Sequence, residues 1–173
     1  MSETTTLDSI EAIEPSQWNG LFFDDEAPGG SEDWSYLRAI ERAGLPGFRF
    51  VYFVVREGGR LLAAAPAFFT DYRLDTTVSG ALKRITEATA RLLPRLLRIP
   101  MLALGSPVTE DCRIGFAPGI AEAQRASCLD AMLEKMEHVA VREHCGMLAI
   151  KDAPVARDRL CRRVFPKRGL RAL

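Results

Sequence analysis

The residues best placed to do chemistry stand in one loop, Gly105-Ser106-Pro107-Val108-Thr109-Glu110-Asp111-Cys112-Arg113-Ile114-Gly115-Phe116-Ala117-Pro118-Gly119. A short apolar run over residues 100–105 leads into it and a long helical pattern follows. A strand that delivers its backbone to a helix amino terminus makes an anion site, because unpaired N–H groups and the helix dipole point to the same place. The loop also gathers two carboxylates, a thiol and a guanidinium. Cys112 has no His paired with it in the sequence and reads as structural rather than nucleophilic. His138 and His144 stand six apart and do not share a helical face well, whereas a metal pair favours spacings of about three or four. The four cysteines, Cys112, Cys128, Cys145 and Cys161, are widely separated with no Cys-x-x-Cys, which argues against structural zinc. No Walker-type, HExxH or GxSxG motif is present.

The surrounding elements follow from periodicity and punctuation. Residues 1–6 are polar and expected to fray. Loose alternation over 7–13 predicts an edge strand, and Pro15-Ser16 opens a short helix through Trp18 and Leu21. Asp24-Asp25-Glu26-Ala27-Pro28-Gly29-Gly30 reads as a solvated acidic loop rather than an amine-recognition site. Ser31 is expected to cap a helix with Glu32 and Asp33 in its first turn, ending at Gly44.

The clearest pattern is the next one. Residues 48–56 are rich in aromatic and β-branched side chains, Glu57-Gly58-Gly59-Arg60 signals a tight hairpin, and 61–72 form the return strand. Pro66 within it predicts a bulge, an edge or a bend. Residues 81–97 read as a basic helix kinked at Pro94, packed on the core rather than lying on a membrane. Cys128, Leu129, Met132, Leu133, Met136, Val139 and Ala140 recur by three and four in a helix over 121–144. Gly146 stops it, and 147–151 form a strand, which makes a parallel βαβ unit. A final helix begins at Pro154, followed by a basic tail.

With 173 residues, 47% of them hydrophobic and 27% charged, the chain is most simply one domain with a sizeable core. Its bounds are read as 7–153, between the frayed 1–6 and a helix and tail over 154–173. The 23 basic and 23 acidic residues cancel, yet no Lys or Arg precedes Arg38, and basic residues dominate after Ala156. That tail lacks aromatic interleaving, so no nucleic-acid partner is expected. Neither a signal pattern nor an apolar stretch of roughly twenty residues occurs, so no membrane span is expected either. The default location is a reducing cytoplasm.

The order of elements, with the hairpin Glu57-Gly58-Gly59-Arg60-Leu61-Leu62-Ala63-Ala64-Ala65-Pro66-Ala67-Phe68, resembles the amino-terminal portion of a GNAT-superfamily acyltransferase. Gly105-Ser106-Pro107-Val108-Thr109 after the next strand is similar to the Fem-like, peptidoglycan-biosynthesis-related branch. The resemblance covers about residues 18–153. It implies a mixed α/β sheet, a three-layer GNAT-like half-fold with an antiparallel hairpin and a parallel βαβ unit. It also implies acyl transfer from acyl-coenzyme A, or aminoacyl transfer from charged tRNA, to an amine, with no metal. In the family a Gln/Arg-x-x-Gly-x-Gly/Ala loop holds the pyrophosphate. Arg113, Gly115 and Gly119 are its counterparts here, with a shorter Arg-to-Gly spacing and with Pro118 supplying no donor.

Amine acylation needs a base and a donor that stabilises the thioester oxyanion. Glu110 and Asp111, just past the strand end, are the best-placed carboxylates for the base. The family core continues beyond the strand at 147–151, which predicts an incomplete fold with an open edge there, a homodimer or a completing chain. Two readings follow: an acyltransferase with an acyl donor and an amine acceptor, truncated and inactive alone, or a non-catalytic interaction domain on the same scaffold.

Overall fold

The computed structural model describes residues 2–22, 31–73, 98–109, 112–151 and 159–168. The helix expected over 81–97, the acidic loop at 24–26 and the start of the last helix at Pro154 lie outside them.

One mixed sheet carries the molecule. Its strands are β1 (Ser2–Leu7), β2 (Phe48–Glu57), β3 (Arg60–Arg73), β4 (Arg98–Leu104), β5 (Gly115–Phe116) and β6 (Met147–Ile150). The order is β1-β2-β3-β4-β6, with β5 added beside β3. All neighbours are antiparallel except β4 and β6, which run parallel from Met101↔Met147 to Leu104↔Ile150.

The first strand corrects two expectations. Residues 2–7 do not fray; they pair with β2 from Ser2↔Glu57 to Leu7↔Tyr52, and the β-branched run Thr4-Thr5-Thr6 suits that edge position. The strand expected over 7–13 is instead a 3-10 turn at Ile10–Ala12, because the Ser9 hydroxyl accepts the Glu11 N–H and caps it. Ile10 and Ile13 then drop into the core.

Two helices cover one face of β2 and β3. The first, α1 (Pro15–Asn19), begins with its proline, and α2 (Trp34–Ala43) ends at Gly44 with φ of 63°. The cap of α2 is Asp33, not Ser31: its carboxylate accepts the N–H groups of Ser35 and Tyr36. Phe50, Tyr52, Val54 and Ala64 meet Ile10, Trp18 and Leu37 on this face. The Trp34 indole N–H reaches the carbonyls of Ile10 and Ile13, and the Tyr52 hydroxyl donates to Glu41 at 3.0 Å.

The opposite face takes α3 (Glu122–Arg142) and α4 (Arg159–Val164). The residues that α3 buries are the seven its spacing predicts, and they pack on Val51, Phe53, Val55, Leu102 and Leu104. Each Leu buried in this way contributes about 1.5–3 kcal/mol. Leu160, Cys161, Val164 and Phe165 join the same cluster, so the last helix belongs to the main core rather than to an appended tail.

The hairpin turn is as expected, with Gly58 and Gly59 at φ of 55° and 81°. The β2–β3 register shifts between Val55 and Arg56, whereas Pro66 itself pairs with Tyr52, so of the bulge, edge or bend expected there it is not a bulge. Pro66 lies one residue outside the last β3–β4 pair, Ala67↔Leu104, so β4 leaves β3 at the proline. β5 then takes the vacated position, pairing with Ala63 and Ala64.

Candidate functional site

The site forms where the parallel strands end together. Their last link is the Lys151 N–H, which donates to the Leu104 carbonyl at 2.9 Å. Gly105 then turns the chain at φ of 111°, its own N–H held by the Pro66 carbonyl at 2.8 Å. A Cβ there would touch Cys112 Cβ at 3.4 Å and Lys151 Cβ at 3.5 Å, so it is the positive φ that calls for glycine. Ser106 and Thr109 are buried in the loop that follows, and the Lys151 ammonium donates to the Thr109 carbonyl. Crevices at the carboxyl ends of parallel strands are the usual ligand positions of open α/β sheets.

From Arg113 the chain crosses the end of the sheet as a strap. A Cβ on Gly115 would lie 2.7 Å from the Phe22 ring and 2.8 Å from Leu21 Cβ, so only glycine lets the strap close on the segment that follows α1. The Phe116 N–H donates to the Leu21 carbonyl at 3.0 Å, and that of Ala117 to Leu62 at 2.8 Å. These two amides are committed to the fold. Gly119 is exposed at φ of 78° with open space around it, and α3 follows with no side-chain cap on Ala121. Its first-turn amides, from Glu122 to Gln124, have no acceptor within the helix. Arg125 lies over the Phe116 ring at 5.6 Å, fixing the strap against α3. A cavity of about 260 Å³ between α1 and the strap is lined by Gln17, Leu21, Arg60, Leu61, Ala117 and Pro118.

Of the residues expected at the site, Glu110 and Asp111 lie outside the described residues. Arg113, Gly115 and Gly119 all fall on the strap, but in different surroundings. Gly115 is packed under Phe22, Gly119 faces solvent, and Arg113 Nη1 lies 3.7 Å from Glu32 Oε2.

Glu32 is the residue that the sequence does not single out. It reads there as one more first-turn acid, yet it is 2% exposed. The Trp18 indole donates to its carbonyl at 2.7 Å, and the Ser31 hydroxyl to Oε1 at 2.9 Å. Asn19 holds the same corner, donating to Asp33 Oδ2 at 3.0 Å and accepting the Trp34 N–H at 2.8 Å. A carboxylate buried beside a guanidinium from another element has no periodic signal in one dimension.

Other groups are less suited to chemistry. The Cys128 thiol is pushed up by burial and then by Glu57, and the Cys145 thiol by burial and Glu143, with Arg49 opposing. Both therefore stay protonated near neutrality. His138 and His144 are exposed. Among the described residues, no group of three or more His, Cys, Asp or Glu is placed to hold a metal ion, and no helix is long and apolar enough to cross a membrane. What the site offers is the shared end of β4 and β6, the uncapped first turn of α3 and, on the strap, the Arg113 guanidinium.

Comparison with known proteins bears on the fold. No protein-family model matches the sequence, and no curated protein matches it significantly. An aminoglycoside N-acetyltransferase solved in complex with CoA aligns with a TM-score of 0.55 at 14% identity, over 99% of this chain and 89% of that one. A probable acetyltransferase aligns with a TM-score of 0.52 at 14% identity, over 100% and 91%. The mixed sheet with helices on both faces is thus the fold of GNAT-type acetyltransferases. The expected half-fold is not what these alignments find, since they span about nine-tenths of both neighbours.

Proposed function

We propose that this chain is an N-acyltransferase taking acyl-coenzyme A as donor and a small amine as acceptor. The observation that carries the reading is the parallel pair β4 and β6 connected through α3 with its uncapped amino terminus, in a fold shared with an N-acetyltransferase solved with CoA. In this reading Gly119, the first-turn amides of α3 and Arg113 hold the donor's phosphates. Bound there, acyl-coenzyme A supplies an activated thioester. The acceptor amine forms the new C–N bond as the C–S bond breaks, and its proton passes to a carboxylate, with the sulfur leaving as thiolate. Glu110 and Asp111 are proposed for that base because they directly follow the buried Thr109.

The Gly105-to-Thr109 loop supports the Fem-like branch. The balance of 23 basic and 23 acidic residues favours acyl-coenzyme A over charged tRNA, whose phosphates call for a basic stripe. Cys112, Cys128 and Cys161 are buried and in no disulfide, which suits a reducing compartment, and the cytoplasm is proposed.

One observation favours a second reading, a non-catalytic interaction domain. Phe116 and Ala117, which stand where the family loop presents amides to pyrophosphate, spend theirs on Leu21 and Leu62. Calorimetric titration with coenzyme A and acetyl-coenzyme A separates the two. Micromolar binding that weakens at least tenfold in Arg113→Ala is expected. No heat and no thermal shift with either ligand would leave the interaction domain standing.

A further inference from the structure

A second cavity lies at the end of the sheet away from the strap. It holds about 370 Å³, within the range of small-molecule sites, and forms where the first residues of β2, the last part of β3, the first part of β4 and the turn after α3 converge. α3 has 21 residues, so about 30 Å of helix separates this cavity from the strap. None of the residues proposed for the donor lines it.

Arg49 is its centre. The guanidinium carbon lies 3.8 Å from the centre of the Phe69 ring, and Nη2 donates to Glu143 Oε2 at 2.6 Å. These contacts fix the group from two sides and use one nitrogen only. Nε and Nη1 make no hydrogen bond among the described residues, and the side chain is 53% exposed. A guanidinium pinned in this way, with donors to spare, is preorganised for a carboxylate, which its fork can hold through two parallel bonds. The neighbouring acids do not cancel that charge, because each has an arginine of its own. Glu143 Oε1 meets Arg142 Nη2 at 3.3 Å, and Asp71 Oδ2 meets Arg98 Nη1 at 3.9 Å. Arg49, Arg142 and Arg98 thus stand against Glu143 and Asp71, and one negative charge completes the balance. Phe48, Pro100 and Met101 make the rest of the wall apolar. We infer that the cavity binds a small organic monocarboxylate, its carboxylate on Arg49 and its apolar body against Phe48, Pro100 and Met101. The inference stands apart from the acyltransferase reading and survives its failure.

Benzoate is the probe, with benzamide and benzylamine as analogues of zero and positive charge. Chemical-shift titration is expected to show saturable benzoate binding with a Kd of about 0.1–1 mM, centred on the amides of Arg49, Phe69 and Asp71. Benzamide should bind about tenfold more weakly, and so should benzoate to Arg49→Gln, since each change removes the charge-assisted bonds. Arg49→Lys keeps the charge without the fork and should also bind benzoate more weakly than wild type. A measurement on the unaltered protein covers the case in which Arg49→Gln does not fold. Cys145 lines the cavity and is the one cysteine that is not buried. Benzoate should slow its alkylation by iodoacetamide, read by mass spectrometry, and benzamide at the same concentration should not. Absence of saturable benzoate binding, benzamide or benzylamine binding as tightly as benzoate, unchanged affinity in folded Arg49→Gln, or no charge-dependent protection of Cys145 would each overturn the inference.

Discussion

Gly115→Ala is the sharpest probe of the strap. The added Cβ would sit 2.7 Å from Cε2 and Cζ of Phe22 and 2.8 Å from Leu21 Cβ. Unstrained carbon contacts lie near 3.5–4.0 Å, so the shortage is about 1 Å on two sides. The Phe22 ring can swing, but Leu21 Cβ is fixed to the backbone whose carbonyl accepts the Phe116 N–H. The strap must therefore move. Overpacking of this kind costs about 1–3 kcal/mol. Loss of the Phe116 and Ala117 hydrogen bonds adds about 1 kcal/mol each if the strap peels away. The expected total is about 3–5 kcal/mol, out of the ~5–15 kcal/mol that holds a domain together. With a urea slope of about 2 kcal/mol/M, the midpoint should fall by roughly 1.5–2.5 M. Hydrogen exchange at Phe116 and Ala117 should accelerate more than at Leu129 in the core. Gly119→Ala serves as control: it has open space but φ of 78°, so only a conformational cost of about 1–2 kcal/mol is expected, with the strap amides still protected. Replacing Phe22 with Leu in the Gly115→Ala background should recover part of the loss, a coupling that independent sites would not show. Gly115→Ala within 0.5 kcal/mol of wild type, or destabilised without faster exchange at Phe116 and Ala117, would refute the packing account.

Three further outcomes test the rest of the fold. Leu129→Ala, at a fully buried position of α3, should cost about 2–5 kcal/mol by urea denaturation. Asp33→Ala should cost about 1 kcal/mol through loss of the α2 cap, and slightly more because Asn19 also donates to that carboxylate. Tyr52→Phe should cost about 1–2 kcal/mol at neutral pH, since it removes the bond to Glu41. Burial, and then the Glu41 charge, pushes the Tyr52 hydroxyl well above its ordinary range. The folded state therefore keeps this proton after the unfolded chain loses it near pH 10, and stability falls as pH rises past that point. The stability curve of Tyr52→Phe should be flatter above about pH 10, and parallel curves for the two proteins would contradict the assignment.

Periodicity made much of the scaffold legible. The hairpin at Gly58-Gly59, the seven buried positions of α3 and the parallel strand after Gly146 are local signals, each written within one or two turns or along one strand. The glycines of the loop were visible too, but their jobs were not. Gly115 is required by the Phe22 ring just after α1, and Gly119 by its own backbone angle. The misplaced first strand has a similar cause: alternation over 7–13 competed with a Ser9 cap and with β2 pairing, and the longer-range contact prevailed. Sequence alone thus determined a mixed α/β sheet with a Gly-rich loop between a strand and a long helix. Only the tertiary structure decided that the loop's strap spends the Phe116 and Ala117 amides on Leu21 and Leu62, and that Arg113 meets a buried Glu32. Those contacts join segments far apart in the chain, and their energies depend on burial and distance, which residue order does not encode.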